Sequence, residues 1–141
     1  MSPRRGAAAT EFALWLPFVL LLLGGIVDLG RMASLAHAVE RAARDGARTG
    51  AATTKALASS DPPEGLDIET AAIAQARQIL LDSGLACADG CDVQAAWITG
   101  GEGWRLIRVE VTVPFVPVVG LADTFARPIG ADFTMLTQFQ P

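Results

Sequence analysis

The sequence is poor in the residue types that most often stack on bases or carry acid–base chemistry: it has no tyrosine and a single histidine, His37. Cationic side chains are also in the minority, because 11 Lys and Arg face 15 Asp and Glu, which gives a net charge of −4. A protein that binds nucleic acid needs a basic stripe that replaces the counterions of the phosphates. No such stripe is present, so the sequence argues against a nucleic-acid partner.

Motifs of common hydrolases and nucleotide-binding enzymes are also absent, since there is no G-x-S-x-G, no H-E-x-x-H and no phosphate-binding loop. The glycines at residues 100–103 predict a turn, because no helix follows them. His37 has no identifiable serine or cysteine partner, and no pair of carboxylates stands out. We therefore expect no catalytic residue, no metal site and no cofactor, and we predict that His37 lies on the surface of a helix or in an interface.

Cysteine is scarce as well, with only Cys87 and Cys91 close together in the middle of the chain. Two thiolates alone do not complete a four-ligand zinc site. An even number of cysteines beside an export-type N-terminus favours a disulfide in an oxidising compartment, and two free thiols are the alternative. A bond between Cys87 and Cys91 closes a very short loop. We expect it to fix the turn at residues 88–90 and to contribute only modestly to stability.

What the sequence does have is a long apolar run at its N-terminus, from Ala7 to Val27, interrupted only by Thr10 and Glu11. As a helix, this run spans about 31 Å, which is enough to cross the hydrocarbon core of a bilayer. Arg4 and Arg5 precede it. The positive-inside rule therefore predicts that the N-terminus lies in the cytoplasm and that the bulk of the chain lies on the other side of the membrane.

Two ordinary export signals fit this run poorly. A cleaved signal peptide would use the small residues Ser34–Ala36 as its cleavage site and leave a chain that starts at His37. However, Asp28 and Arg31 lie where a short neutral stretch is expected. A plain signal anchor would keep the helix, but it gives no reason for the carboxylate of Glu11, because an ionisable group at membrane depth is costly.

The start of the run instead resembles a type IV prepilin signal. In that family a short basic leader ends in glycine, a membrane peptidase cuts after it on the cytoplasmic side, and the fifth residue of the mature chain is glutamate. The matching residues are Gly6, Ala7 and Glu11, with Arg4 and Arg5 in the leader. We expect Glu11 to pair with the new N-terminal ammonium group of a neighbouring subunit and to set the axial register. The alternative is that Glu11 only reaches the lipid headgroups.

Three segments make this resemblance more specific: Glu11–Pro17 (EFALWLP), Asp28–Arg31 (DLGR) and Ala42–Arg48 (AARDGAR). Together they resemble the TadE-like family of minor pseudopilins of the tight-adherence (Tad) pilus. The resemblance is specific over the N-terminal third of the chain and returns weakly at residues 109–121 and in the last strand. TadF-type subunits share the same N-terminal pattern, so the sequence leaves the TadE and TadF types open.

The resemblance implies an accessory structural subunit that is processed by a prepilin peptidase in the bacterial inner membrane. Its implied partners are that peptidase, the major Flp-type pilin, other minor pseudopilins, the inner-membrane assembly platform and membrane lipid. The implied location is a single-pass inner-membrane protein with a periplasmic C-terminal domain, and the extracellular pilus after assembly. Because the major pilin is a much shorter chain, this length indicates a minor subunit. A signal-anchored periplasmic binding module that never enters a pilus is the alternative function.

In this interpretation the chain divides into a leader (1–6), a transmembrane helix (7–27) and a periplasmic pilin-like domain (28–141). We predict an α+β fold in which the long N-terminal helix continues to about Ala52 and is followed by a loop, a second helix and a three-stranded antiparallel sheet. The predicted bounds are Thr53–Gly65 for the loop, Leu66–Leu81 for the second helix with Gly84 as its stop, and Asp92–Thr99, Trp104–Phe115 and Ala131–Phe139 for the strands.

Periodic small and apolar residues predict which faces are buried. On the first helix they are Met32, Leu35, Ala36, Val39, Ala43, Ala47 and Gly50, and on the second helix Ile68, Ala72, Ile79 and Leu80. In the second strand Ile107, Val109, Val111 and Val113 alternate with polar residues, which is typical of a half-buried antiparallel strand. In the third strand Phe133, Met135 and Phe139 share one side. The small-residue face of the first helix suits either the sheet of this domain or a helix of another subunit.

Residues 115–122 form an apolar run that prolines interrupt. The run is too short and broken to span a membrane. It is either a loop that covers the core or an exposed apolar patch for a partner or for the bilayer surface, and the sequence leaves both interpretations open.

Overall fold

The computed structural model describes residues 4–57, 65–85, 90–99, 105–118 and 128–137. Its elements follow the predicted order of two helices and three strands. They are α1 (Arg4–Leu57), α2 (Gly65–Asp82), β1 (Asp92–Thr99), β2 (Arg105–Val113) and β3 (Ile129–Thr137). The fold is therefore α+β with one long N-terminal helix, as predicted.

The first helix, α1, is continuous from Arg4 to Leu57 and includes Pro17. Its 54 residues correspond to a rod of about 80 Å, more than twice the thickness of the hydrocarbon core of a bilayer. The predicted end at about Ala52 is wrong, because the helix continues for more than another turn and no glycine or proline occurs before Pro62. The rest of the predicted loop, residues 58–64, lies outside the described residues.

The second half of α1 packs into the core through small residues. A Cβ atom at Gly46 would lie 3.0 Å from the carbonyl oxygen of Ala72 on α2, and one at Gly50 would collide with Cδ1 of Ile107 on β2. The absence of side chains at these two positions is what allows the helix to approach its neighbours so closely. The small-residue face thus packs within this domain. Between Leu35 and Thr53, the buried residues of α1 are Leu35, Ala38, Val39, Ala42, Ala43, Gly46, Ala47 and Gly50.

Met32 departs from the predicted buried face. It is 48% exposed, because the hydrophobic core that α1 joins begins only at Leu35, about one turn further along the helix. Ala36 is half-buried.

The second helix, α2, packs through side chains that recur every four residues, and all of them are buried: Ile68, Ala72, Ala76 and Leu80. Ile79 is half-buried. Gly84 stops the helix, as predicted, with a φ of +76°. Its N–H donates to the carbonyl of Leu81 at 2.9 Å, and the N–H of Leu85 reaches back to the carbonyl of Leu80 at 2.9 Å. These two bonds form a Schellman motif, which favours glycine because of its left-handed backbone.

The three strands form one antiparallel sheet in the order β1-β2-β3, so β2 is central. Its alternation is confirmed, because Ile107, Val109 and Val111 are fully buried whereas the charged residues between them are exposed. Across the sheet, Val109 lies opposite Phe133 of β3. The buried face of β2 meets α1, which crosses the same side of the sheet.

The bounds of β1 match the prediction, and those of β2 differ slightly. The second strand ends at Val113 instead of Phe115 because Pro114 has no N–H to donate to the ladder. Trp104 and the predicted turn at residues 100–103 lie outside the described residues.

The third strand begins earlier than predicted, at Ile129 instead of Ala131, because Ile129 pairs with Val113 at the end of β2. It is assigned as far as Thr137, and Phe139 lies outside the described residues.

Candidate functional site at the membrane helix and its exit

The first half of α1 exposes a continuous apolar surface. Between Ala8 and Val27 only Gly24 is partly buried, and Leu20 and Leu22 are 58% and 62% exposed. This part of the helix is long and apolar enough to cross a membrane, and it spans about 30 Å. A contiguous exposed apolar surface of this extent is unfavourable in water. The N-terminal helix therefore indicates membrane anchoring.

The predicted processing and assembly residues lie in the first turns of α1. Arg4, Arg5, Gly6 and Ala7 are helical, and Glu11 lies exposed on the helix surface. Because Ala7 and Glu11 are four residues apart in a helix, they share one face and are about one turn apart. The cut after Gly6 and the register role of Glu11 stay predictions.

At the other end of the apolar surface, Asp28 is only 7% exposed. Its Oδ1 accepts a hydrogen bond of 2.9 Å from the N–H of Val118 and lies 3.6 Å from Nη1 of Arg31. The same Nη1 donates to the carbonyl oxygen of Val116 at 3.4 Å. Asp28 and Arg31 therefore hold the segment that follows β2, residues 114–118, against the end of the apolar helix surface.

These contacts explain why a carboxylate is buried at this position. A buried ionised group is costly unless it is hydrogen-bonded and paired, and Asp28 has both a backbone N–H and a guanidinium beside it. Hydrogen bonds to charged groups are also stronger than neutral ones. In the sequence, Asp28 and Arg31 argue against a cleaved signal peptide and belong to a family motif, but nothing local predicts this contact. The available signal was a lone carboxylate at the end of one apolar run and a second, uncharged run at residues 115–122.

A groove of about 820 Å³ lies between α1, the end of α2 and residues 114–118. Arg31, His37 and Arg41 line it together with apolar side chains, and no acidic side chain is among its described lining residues. His37 is exposed on α1, as predicted. The groove therefore has two arginines in its lining next to the end of the apolar helix surface, and one of them, Arg31, also lies beside Asp28.

Polar side chains also link the helices to the outer strands. Arg44 of α1 pairs with Glu40 at 2.6 Å, and its guanidinium lies 5.5 Å from the ring centre of Phe133 on β3. Glu69 of α2 accepts a hydrogen bond of 3.1 Å from the N–H of Trp97 on β1. These contacts fix the sheet to the second half of α1 and to α2.

The cysteine region is only partly described. Cys91 is disulfide-bonded, and Cys87, the other cysteine of the sequence, lies outside the described residues. Gly90, the last residue of the predicted turn, has a φ of +87°, a left-handed conformation that glycine adopts readily. The pairing of Cys87 with Cys91 stays a prediction.

The chain is similar to a known protein family over its N-terminal third. The family model described as TadE-like protein matches residues 6–48, from the predicted processing site to the small-residue face of α1. No curated protein and no solved structure matches the chain. The family match associates the chain with the Tad pilus, whose components are its general class of partner. Over residues 6–48, the chain is therefore similar to TadE-like proteins, as its motifs predict.

Proposed function

We propose that the chain is a minor pseudopilin, a structural and non-enzymatic subunit that takes part in the assembly of a Tad (type IVc) pilus. The observation that carries this proposal is the continuity of α1. One uninterrupted helix joins the prepilin-like N-terminus, the exposed apolar surface and the core of the folded domain. A subunit that is stored in a membrane and then packed beside other subunits needs such a helix, because the same apolar surface must serve in both places.

In this proposal a prepilin peptidase cuts between Gly6 and Ala7 on the cytoplasmic side of the inner membrane. Arg4 and Arg5 keep the leader on that side before the cut, since positive charges near a span are retained in the cytoplasm. The cut removes these charges and leaves a new ammonium group on Ala7. The apolar helix stays with the mature chain, and the α+β domain lies in the periplasm.

The new ammonium group gives the carboxylate of Glu11 a partner. An isolated carboxylate at membrane depth is costly, so pairing with the N-terminus of a neighbouring subunit favours one axial arrangement of the two helices. The placement of Ala7 and Glu11 on one helix face supports this role. The neighbours are the major Flp-type pilin or other minor pseudopilins, which the chain meets at the inner-membrane assembly platform.

The processing step is tested by intact mass and N-terminal sequencing of the full chain, purified from membranes of cells that also express a prepilin peptidase. We expect the wild-type protein to start at Ala7. Gly6→Leu should keep Met1, because the bulky side chain blocks the cut. Gly30→Ala, a matched glycine change with nothing within 4 Å of the added Cβ, should be cut like the wild type.

Two outcomes would contradict the proposal, provided that a known prepilin is cut in the same cells. A wild-type chain that keeps Met1 would favour the permanently anchored binding module. A chain that starts at His37 would identify a cleaved signal peptide, and the apolar helix would then be absent from the mature protein.

A further inference from the structure

The exposure of α1 changes abruptly where the domain begins. From Ala8 to Val27 the helix is exposed, apart from partial burial of Gly24, and Asp28 is then buried. Since about 20 helical residues are needed to cross the hydrocarbon core, the span ends at the turn that contains Asp28 and Arg31. The part of the domain that touches this turn must lie at the height of the lipid headgroups.

The part that touches it is the segment of residues 114–118. Val118 donates its N–H to Asp28 at 2.9 Å, and Val116 accepts a hydrogen bond from Arg31 at 3.4 Å. Both bonds use backbone atoms of the segment, so they fix its height along α1 while leaving its side chains free to face outward.

The side chains that face outward are apolar. Val116 is 70% exposed and Val118 is 69% exposed. Phe115, which precedes them, and Pro117, which lies between them, are half-buried. Two prolines, Pro114 and Pro117, restrict the backbone of the segment, and no charged residue occurs in it. We call the two exposed valines the tip.

We propose that the tip inserts into the headgroup region of the membrane that α1 spans, in the leaflet on the domain side. The tip lies next to the exposed apolar surface of α1, because Val116 lines the same groove as Val27, the last residue of that surface. Asp28 and Arg31 hold the tip at this boundary. Shallow insertion of apolar side chains at this depth is favourable. The domain thus has a second contact with the bilayer besides its helix.

The charges around the tip suit a phospholipid surface. Two arginines, Arg31 and Arg41, line the adjacent groove, and the guanidinium of Arg31 also lies 3.6 Å from the carboxylate of Asp28. Basic side chains next to a span interact favourably with lipid phosphates. The second contact therefore restricts rotation and tilt of the domain about α1, so that the sheet is held at a defined angle to the membrane before assembly.

The inference depends on membrane anchoring by α1 but on neither processing nor pilus assembly, so it is tested without a peptidase or other subunits. The full chain is placed in vesicles of phosphatidylethanolamine and phosphatidylglycerol, with a nitroxide label on Val116→Cys or Val118→Cys. Collision rates of the label with oxygen, which dissolves in lipid, and with a polar nickel chelate report its depth. Leu20→Cys is the mid-span reference, and Leu136→Cys, on an exposed hydrophobic residue of β3, is the water-exposed reference.

We expect the ratio of oxygen to nickel collisions at both tip positions to be several-fold higher than at Leu136→Cys and lower than at Leu20→Cys. Asp28→Ala in the Val116→Cys protein should lower the ratio towards the Leu136→Cys value, while the Leu20→Cys label keeps its depth. A tip ratio equal to that of Leu136→Cys would overturn the proposal. Protection from both reagents would also overturn it, because it would show that protein covers the tip. A water-exposed Leu20→Cys label would refute the anchoring on which the inference depends.

Discussion

From Phe12 to Val27, α1 presents large apolar side chains outward on all sides, whereas from Leu35 to Gly50 it presents mostly charged residues outward and small or apolar residues inward. The backbone is helical throughout, so secondary structure does not distinguish the two halves. What differs is the surrounding medium. Among the described residues, the first half is almost fully exposed and needs lipid or another subunit, whereas from Leu35 onward one face of the second half is covered by its own domain.

The two halves of α1 also differ in the space that is available for side chains. In the second half, Gly46 and Gly50 lie so close to α2 and β2 that an added Cβ atom would have almost no room. In the first half, Gly25 has nothing within 4 Å of the position of a Cβ atom. A larger residue therefore has room at Gly25, whereas Gly46 and Gly50 require a small residue.

The largest effect is expected from a charge in the middle of the first half. Leu20→Arg should cost about 3–4 kcal/mol of membrane insertion, because arginine at the centre of a span is unfavourable where leucine is favourable. The measurement is the fraction of protein that resists carbonate extraction from membranes. Leu81→Arg, at a similarly exposed leucine on α2, should leave extraction unchanged. Equal extraction of both variants would show that the first half is not a span.

A second pair of substitutions compares two exposed glutamates, Glu11 on the first half of α1 and Glu40 on the second half. Glu11→Ala should still be cut by the peptidase but should reduce the number of pili about tenfold, the effect of losing roughly 1.4 kcal/mol of subunit contact. Pili are counted by electron microscopy. Glu40→Ala, which removes only the surface pair with Arg44, should keep normal piliation. Unchanged piliation by Glu11→Ala would remove the register role.

A third change tests the close approach in the second half. Gly50→Val should destabilise the domain by about 1–3 kcal/mol, because it overpacks a site where even a Cβ atom collides with Ile107. Thermal unfolding of the full chain in detergent, followed by circular dichroism, measures this loss. Gly25→Val makes the same substitution in the first half and should leave the melting temperature of the domain unchanged. A similar loss of stability for Gly50→Val and Gly25→Val would show that close packing at Gly50 does not require a small residue.

A smaller effect is expected at the boundary of the two halves. Asp28→Ala removes a buried acceptor from the N–H of Val118 and should cost about 1–2 kcal/mol, in the range for loss of a charged hydrogen bond. The same unfolding experiment applies. Asp132→Ala, which breaks an exposed pair with Arg108 at 3.1 Å, should cost less than about 1 kcal/mol. If the two losses are equal, Asp28 does not hold the segment.

Much of this arrangement could be predicted from sequence, because its signals are local. The alternation of β2, the stop at Gly84 and the apolar run before Asp28 each follow from the period or backbone preference of a few adjacent residues. The bounds of β1 were correct for the same reason, and the family resemblance depends on contiguous motifs between Gly6 and Arg48.

The features that could not be predicted involve contacts between distant parts of the chain. Met32 continues the period of the buried face, but only tertiary packing decides that the core begins at Leu35. The contact between Asp28 and Val118 joins residues that are 90 positions apart, so no local pattern indicates it. In the apolar run at residues 115–122, Phe115 packs against the core whereas Val116 and Val118 are exposed, and residues 119–122 lie outside the described residues.

The central claim is that α1 divides at Asp28 between bilayer and domain, and thiol accessibility along the helix tests it most directly. Cysteines are introduced one at a time at Leu16, Leu20, Met32 and Arg41 of the full chain, with Cys87 and Cys91 replaced by serine, and are exposed to a membrane-impermeant maleimide in intact membrane vesicles and again in detergent. We predict that Leu16→Cys and Leu20→Cys react only in detergent, and that Met32→Cys and Arg41→Cys react in vesicles whose domain side faces the reagent. Reaction of Leu20→Cys in intact vesicles at the rate of Arg41→Cys would contradict the account.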